Sequence, residues 1–210
     1  MLNFKHQIKY LSTKISRALY AIRRSKNILP PSSLKSLYYT LMHCHFNYAC
    51  EIWSCTSDAN LKILKNKQKE AVRLISKSKY LAHTEPIFKM LEILPFENIL
   101  QYNKTTFIQQ VIYKHAPTTF HNLWLKNRDI RLNMDRELRN DDDLYLPVAK
   151  TDSISRFPYF NCPKLWNNLP PTLQIVRNAI EFKKDLKKSL LEKLAERTIC
   201  NKLFCYACNN

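Results

Sequence analysis

The chain is 210 residues long and 45% apolar, carries 34 Lys and Arg against 17 Asp and Glu for a formal net charge of +17, and contains no glycine. A phosphate-cradling Walker loop, a dinucleotide-binding fingerprint and a nucleophile elbow all need glycine where the backbone turns tightly or approaches a ligand, which excludes each in its standard form. Length and apolar content support a substantial core, expected as two domains, with turns resting on Pro, Asn, Asp and Ser.

From Phe4 the apolar positions Ile8, Leu11, Ile15, Leu19 and Ile22 step by threes and fours, which predicts a helix with one buried face and Lys5, Lys9, Lys14, Arg17, Arg23, Arg24 and Lys26 around the rest. Pro30-Pro31 ends it, and Ser32 or Ser33 is placed to cap the next helix. That second helix puts Leu34, Leu37, Tyr38, Leu41 and Met42 on one face and runs into an aromatic, cysteine-rich stretch from Cys44 to Trp53, which reads as core. After Thr56-Ser57-Asp58 a third helix turns Leu61, Leu64, Ala71, Val72 and Ile75 inward and Lys62, Lys65, Lys67, Lys69, Arg73 and Lys77 largely outward.

A short element from Glu85 to Leu91 precedes Pro95, which suits the first turn of a fourth helix built on Ile99, Tyr102, Thr106 and Val111 and ending near His115 and Pro117. Residues 118–143 are rich in Asn, Asp and Arg without period and read as a linker. Leu144–Val148 and Ile154–Phe160 read as short strands. Asn178 can cap a last helix with Phe182, Leu186, Leu190 and Leu194 inside and Lys183, Lys184, Lys187 and Lys188 outside. The expected fold is mainly α: a basic helical bundle over 1–117, the linker 118–143, a small α+β domain over 144–198 and a Cys-containing tail over 199–210.

Positions 1–80 hold fifteen basic and three acidic residues, whereas the remaining 130 hold nineteen and fourteen, so the amino-terminal third carries most of the field. Such a field draws polyanions, nucleic acid before anionic membrane surface; the bland alternative is a soluble basic protein with no such partner. No stretch approaches the roughly 18–20 apolar residues of a membrane span, and the first twenty residues, which mix Lys and His among apolar ones, do not read as a signal peptide. Seven scattered Cys suggest reduced thiols and an intracellular protein, nuclear or cytoplasmic.

Two blocks look familiar. Ile15-Ser16-Arg17-Ala18-Leu19 through Leu37-Tyr38-Tyr39-Thr40-Leu41, His45-Phe46-Asn47-Tyr48 with Glu51-Ile52-Trp53, and Gln68 through Ile75 resemble the region after the palm in reverse transcriptases of jockey-like non-LTR (LINE-type) retrotransposons. Leu146-Pro147, Pro163 through Pro170 and Phe182 through Lys187 are similar to the tail of those polyproteins, in the same order. The resemblance implies that the first block is the thumb, a helical unit resting against the template-primer duplex; it assigns no role to the second. The family's polymerase carboxylates lie upstream of the thumb, on a palm hairpin, where they clamp the two metal ions that nucleotidyl transfer needs. It therefore implies a fragment of a reverse transcriptase without a catalytic centre or cofactor, not an enzyme by itself. Where the family usually has Gly, this chain has Ala49, Ser54 and Asn161-Cys162, and at any of these that needs positive φ the replacement costs of order 1 kcal/mol, a mark of decay.

Three constellations invite other chemistry. Asp141-Asp142-Asp143 has the carboxylates of a Mg²⁺ site but reads as a solvated acidic loop in the linker. Cys205 and Cys208, with Cys200 nearby, supply half a zinc ligand spacing with no fourth ligand, so no metal is expected. His43-Cys44-His45 reads as packing, a Cys-His nucleophilic pair being the alternative. The phosphate-contact candidates are Lys14, Arg17, Arg23, Arg24, Lys65, Lys69 and Arg73, and the expected partners are RNA or an RNA–DNA hybrid, a palm acting in trans, and no membrane. The competing expectation is an inert, decayed relic or mispredicted gene.

Overall fold

The computed structural model describes residues 4–130 and 140–197, with side chains through Leu194. It is mainly helical: α1 Lys5–Ser25, α2 Pro31–Tyr38, α3 Cys44–Asn47, α4 Cys50–Trp53, α5 Asp58–Ile75, α6 Thr84–Leu91, α7 Phe96–Ile112, α8 Asn127–Ile130, α9 Asp152–Ser155, α10 Pro158–Asn167, α11 Pro171–Gln174 and α12 Ala179–Arg197. Two compact units divide it, residues 1–100 with 187–210 and residues 101–186, and the division falls inside α7 and α12. It differs from the expected 1–117, 118–143 and 144–198.

In the first unit α1 packs along α5. Ile8, Leu11, Ile15, Ala18, Leu19 and Ile22 are buried on α1, and Leu64, Gln68, Ala71, Val72 and Ile75 on α5, as the period requires. Pro30 is the N-cap of α2 with Pro31 in its first turn, so Ser32 and Ser33 do not cap it; proline's missing amide costs nothing at that position. α2 continues through a π-helical turn, Tyr39–His43, into α3. The inserted turn keeps Leu34, Tyr38, Met42 and Phe46, four residues apart, all inside. Phe96 closes this core edge-on to Phe46 at 5.3 Å and stacked on Trp53 at 6.4 Å.

One buried amide ties three segments of this unit. Gln68 of α5 donates from Nε2 to the Tyr38 hydroxyl of α2 at 2.8 Å and to the Leu94 carbonyl at 2.9 Å. Burial pushes the Tyr38 phenol far above its ordinary range, so it stays neutral.

The second unit corrects the expected α+β tail. Among the described residues there are no strands; one antiparallel bridge joins Lys126 and Leu144. Leu144 could not recruit a second strand, because the Asn167 side-chain amide takes both its backbone groups, accepting from its amide at 3.0 Å and donating to its carbonyl at 2.9 Å. Residues 154–155 and 158–160 fall in α9 and α10 instead, with Phe157 an extended N-cap and Pro158 opening the helix that buries Cys162 and Trp166. Within the described part of the expected linker, Trp124 and Asn127 are buried. Trp124 is 7% exposed, sits 5.8 Å edge-on to Phe107 and donates from Nε1 to the Tyr159 carbonyl at 3.0 Å. The Asn residues that suggested a linker hold backbone here, as when Asn127 donates to the Asn140 carbonyl at 2.7 Å. The Asn178 cap of α12 is present, accepting from the Ile180 amide at 2.9 Å.

Ala49 is held at φ 49°, in the left-handed region where a Cβ is unfavourable, whereas Ser54 sits at φ −71° and Cys162 lies buried inside α10. Of the positions where the resemblance sets glycine, only the first has a backbone that calls for it. Ala49→Gly is expected to stabilise the chain by about 0.5–1 kcal/mol, the steric relief exceeding the unfolded-state entropy. Cys162→Gly is expected to cost at least about 1 kcal/mol through lost packing and helix propensity. Denaturant midpoints of the two variants check the opposite signs.

Candidate nucleic-acid interface

On a helix of 3.6 residues per turn, His6, Tyr10, Thr13, Arg17, Tyr20 and Arg24 step by four and three along one line, opposite the buried seam of α1. Lys9 and Lys14 flank that line. Because the apolar face is committed to the core, these side chains have nowhere to go but outward. Tyr10 is 56% and Tyr20 62% exposed, and Arg17, Arg23 and Arg24 are exposed as well. No acidic residue precedes Glu51 in the chain, so α1 has no carboxylate of its own. His6, Lys9, Tyr10, Thr13, Lys14 and Arg17 surround a shallow concavity of about 370 Å³. Within it the Lys14 ammonium lies 5.4 Å over the Tyr10 ring, a cation–π contact.

The seven candidate cations divide into distinct settings. Arg23 is ion-paired with Glu70 across the α1–α5 seam, and Lys65 with Glu97. Arg73 donates from Nε to the Ala82 carbonyl at 2.8 Å, which fixes its guanidinium without neutralising it. Lys14 rests on Tyr10. Arg17, Arg24 and Lys69 enter no ion pair among the described residues. Lys67, which was expected only to point outward, donates to the Ser16 hydroxyl, so α1 and α5 are stitched at Ser16–Lys67 and Arg23–Glu70, in the same order along both helices.

Sequence reasoning left Lys9, Tyr10 and Tyr20 out of the candidate set. The signal was present in the four-three spacing of the polar face, parallel to that of the apolar one. The partners of Arg23 and Lys65 were not readable, since Glu70 and Glu97 lie far along the chain.

The other constellations settle into local contacts. Asp142 pairs with Lys126 at 3.2 Å and Arg128 at 3.1 Å; its hydrogen bond to Lys126, then the charges of Lys126 and Arg128, hold its carboxyl below the usual range. Cys44 donates to the Thr40 carbonyl at 3.0 Å, and His43 packs among the rings of Tyr38 and Tyr39 at 5.8 and 5.0 Å. Among the described residues no group of His, Cys, Asp and Glu could hold a metal ion, and no helix is long and apolar enough to cross a membrane. Cys200, Cys205 and Cys208 lie outside the described residues. No protein-family model, curated protein or solved structure matches the chain.

Burial, reinforced by the positive charge of Lys187, pushes the His43 imidazole down to about 4. The folded state therefore holds it neutral while the unfolded chain binds a proton near the ordinary histidine value of about 6.5. Its neutrality costs nothing above that pH, and the cost grows as pH falls from 6.5 to about 4. Comparing the stability of His43→Gln with the parent across this window checks it: the variant's loss is expected to be the shallower, and equal slopes would contradict the assignment.

Proposed function

We propose that the chain is a nucleic-acid-binding thumb and carboxy-terminal fragment of an RNA-directed DNA polymerase from a jockey-like non-LTR retrotransposon, lacking the catalytic palm and not polymerising by itself. The observation that supports this best is the outward face of α1, where Lys9, Lys14, Arg17 and Arg24 line up on a helix without carboxylates whose other face is locked in a core. The partner is RNA or an RNA–DNA hybrid inside the cell, in nucleus or cytoplasm, with a palm in trans supplying any chemistry.

Cations held this way exchange the condensed counterions of a sugar-phosphate chain for their own charge, and the released ions supply a favourable entropy. Backbone charge is the same at every nucleotide, so affinity is independent of sequence and falls steeply with salt. The burial of α1 fixes the spacing of the cations in advance, leaving only side-chain ordering to oppose binding. A second reading, a decayed copy without independent function, draws on the strained Ala49 backbone.

Anisotropy titration of a labelled RNA–DNA hybrid between about 50 and 200 mM salt tests the proposal. Affinity is expected to fall along a straight log–log line, and Arg17→Ala and Arg24→Ala should each reduce its slope by about one. Arg23→Ala should change it less, because Glu70 already compensates that charge. A flat salt dependence would refute phosphate binding, and a non-cooperative melt of the purified chain would favour the relic.

A further inference from the structure

We infer that the outward face of α1 takes single-stranded nucleic acid in preference to duplex, with unpaired bases stacked on Tyr10 and Tyr20 and the neighbouring cations on the adjoining phosphates. The inference rests on the nucleic-acid reading above and, of its two partners, favours an unpaired strand such as RNA over the hybrid, which binds the same face more weakly.

Exposed tyrosines are common and by themselves mean little. What distinguishes these two is their setting. Each stands in the outward line of α1, more than half exposed, with cations one turn away: Lys14 by Tyr10, and Arg17 and Arg24 around Tyr20. The contact between Lys14 and the Tyr10 ring holds a positive charge beside an open π-face, the pairing that a base and its phosphate call for. Thr13, beside Tyr10 and Lys14 in the concavity, donates its hydroxyl to the Lys9 carbonyl at 3.1 Å, so that proton is not offered to a ligand.

A duplex cannot use such a surface well. Its bases are already stacked and paired, so protruding rings meet sugar and phosphate and hold the cations away. An unpaired strand can splay its bases onto both rings while its backbone passes over Arg17. The rings are ten residues apart, about 15 Å along the helix, so several nucleotides lie between them, within the site size of roughly 4–16 usual for stacking platforms. On one side, the Ser16–Lys67 and Arg23–Glu70 contacts close α1 against α5, which leaves the strand a path along the axis of α1.

The full chain should be titrated with a thymidine oligonucleotide of about 15 residues, a DNA duplex and an RNA–DNA hybrid of equal length, all at one salt concentration. The single strand is expected to bind about tenfold tighter than either duplex. Tyr10→Leu and Tyr20→Leu should each weaken it about tenfold, several times more than they weaken binding to either duplex, while the Phe variants at both positions bind as the parent does. Circular dichroism of each variant checks that the helices persist. Equal or tighter duplex binding, or Leu variants that weaken all three ligands alike, would overturn the strand preference while leaving phosphate binding intact. Absence of salt-dependent binding to any of the three would overturn the nucleic-acid reading and this inference with it.

Discussion

Ile8, Leu11, Ile15, Ala18, Leu19 and Ile22 of α1 are all withdrawn from water into the first unit, where α1 packs along α5. Fully burying a Leu or Ile side chain is worth about 1.5–3 kcal/mol, whereas like charges one turn apart on an exposed helix repel by only about 0.2–0.5 kcal/mol a pair. The apolar seam therefore dictates the orientation of the helix, and Lys9, Lys14, Arg17 and Arg24 are held side by side despite their repulsion. A counter-charge brought by a ligand would relieve that repulsion, so the proposed binding face depends on the packing of the opposite one.

The helices were legible because their signal is local: Ile8 to Ile22 and Leu64 to Ile75 repeat at the period of the structure they form. The tail was misread because an extended-looking run such as Leu144–Val148 becomes a strand only if another strand accepts its backbone groups. At Leu144 the competitor is the Asn167 side chain, a contact between residues far apart in sequence. Pro158 was ambiguous in the same way, since proline suits both the edge of a sheet and the first turn of a helix. The candidate cations lie on two helices, Lys14, Arg17, Arg23 and Arg24 on α1 and Lys65, Lys69 and Arg73 on α5. Their unequal standing was hidden, because Arg23 meets Glu70 and Lys65 meets Glu97 only once the chain has folded.

A chain without glycine must end helices by other means, and three ends show how. α5, α6 and α7 each close with a left-handed residue, Lys77, Glu92 and Lys114, and the residue after it bonds back five positions: Ser78 to Arg73 at 3.0 Å, Ile93 to Phe88 at 3.0 Å, His115 to Gln110 at 2.7 Å. Each left-handed non-glycine residue costs roughly 1–2 kcal/mol, a sizeable share of the 5–15 kcal/mol that holds a typical domain together. The closing hydrogen bonds offset part of it by satisfying carbonyls that a helix end leaves bare. Ile93 adds a fully buried side chain after the turn, whereas Ala49 lies exposed at its own.

The two basic helices of the first unit differ in what their charge can do. On α5, Glu70 stands among the lysines and engages Arg23, Lys65 meets Glu97, and Lys67 is turned onto Ser16. Exposed pairs of this kind contribute about 0–1 kcal/mol to stability, but they cancel field locally, and beyond a Debye length of about 8 Å little of it remains. α1 contains no acidic residue, and Arg23, at its α5 edge, is matched by Glu70. Along the outward face of α1 the charges of Lys9, Lys14, Arg17 and Arg24 therefore have no carboxylate on their own helix to offset them, a narrower target than the count of lysines and arginines implies. The same packing that hides the apolar residues sets those cations in register with two exposed rings, so charge and exposed aromatic surface arrive together as a consequence of where one helix faces.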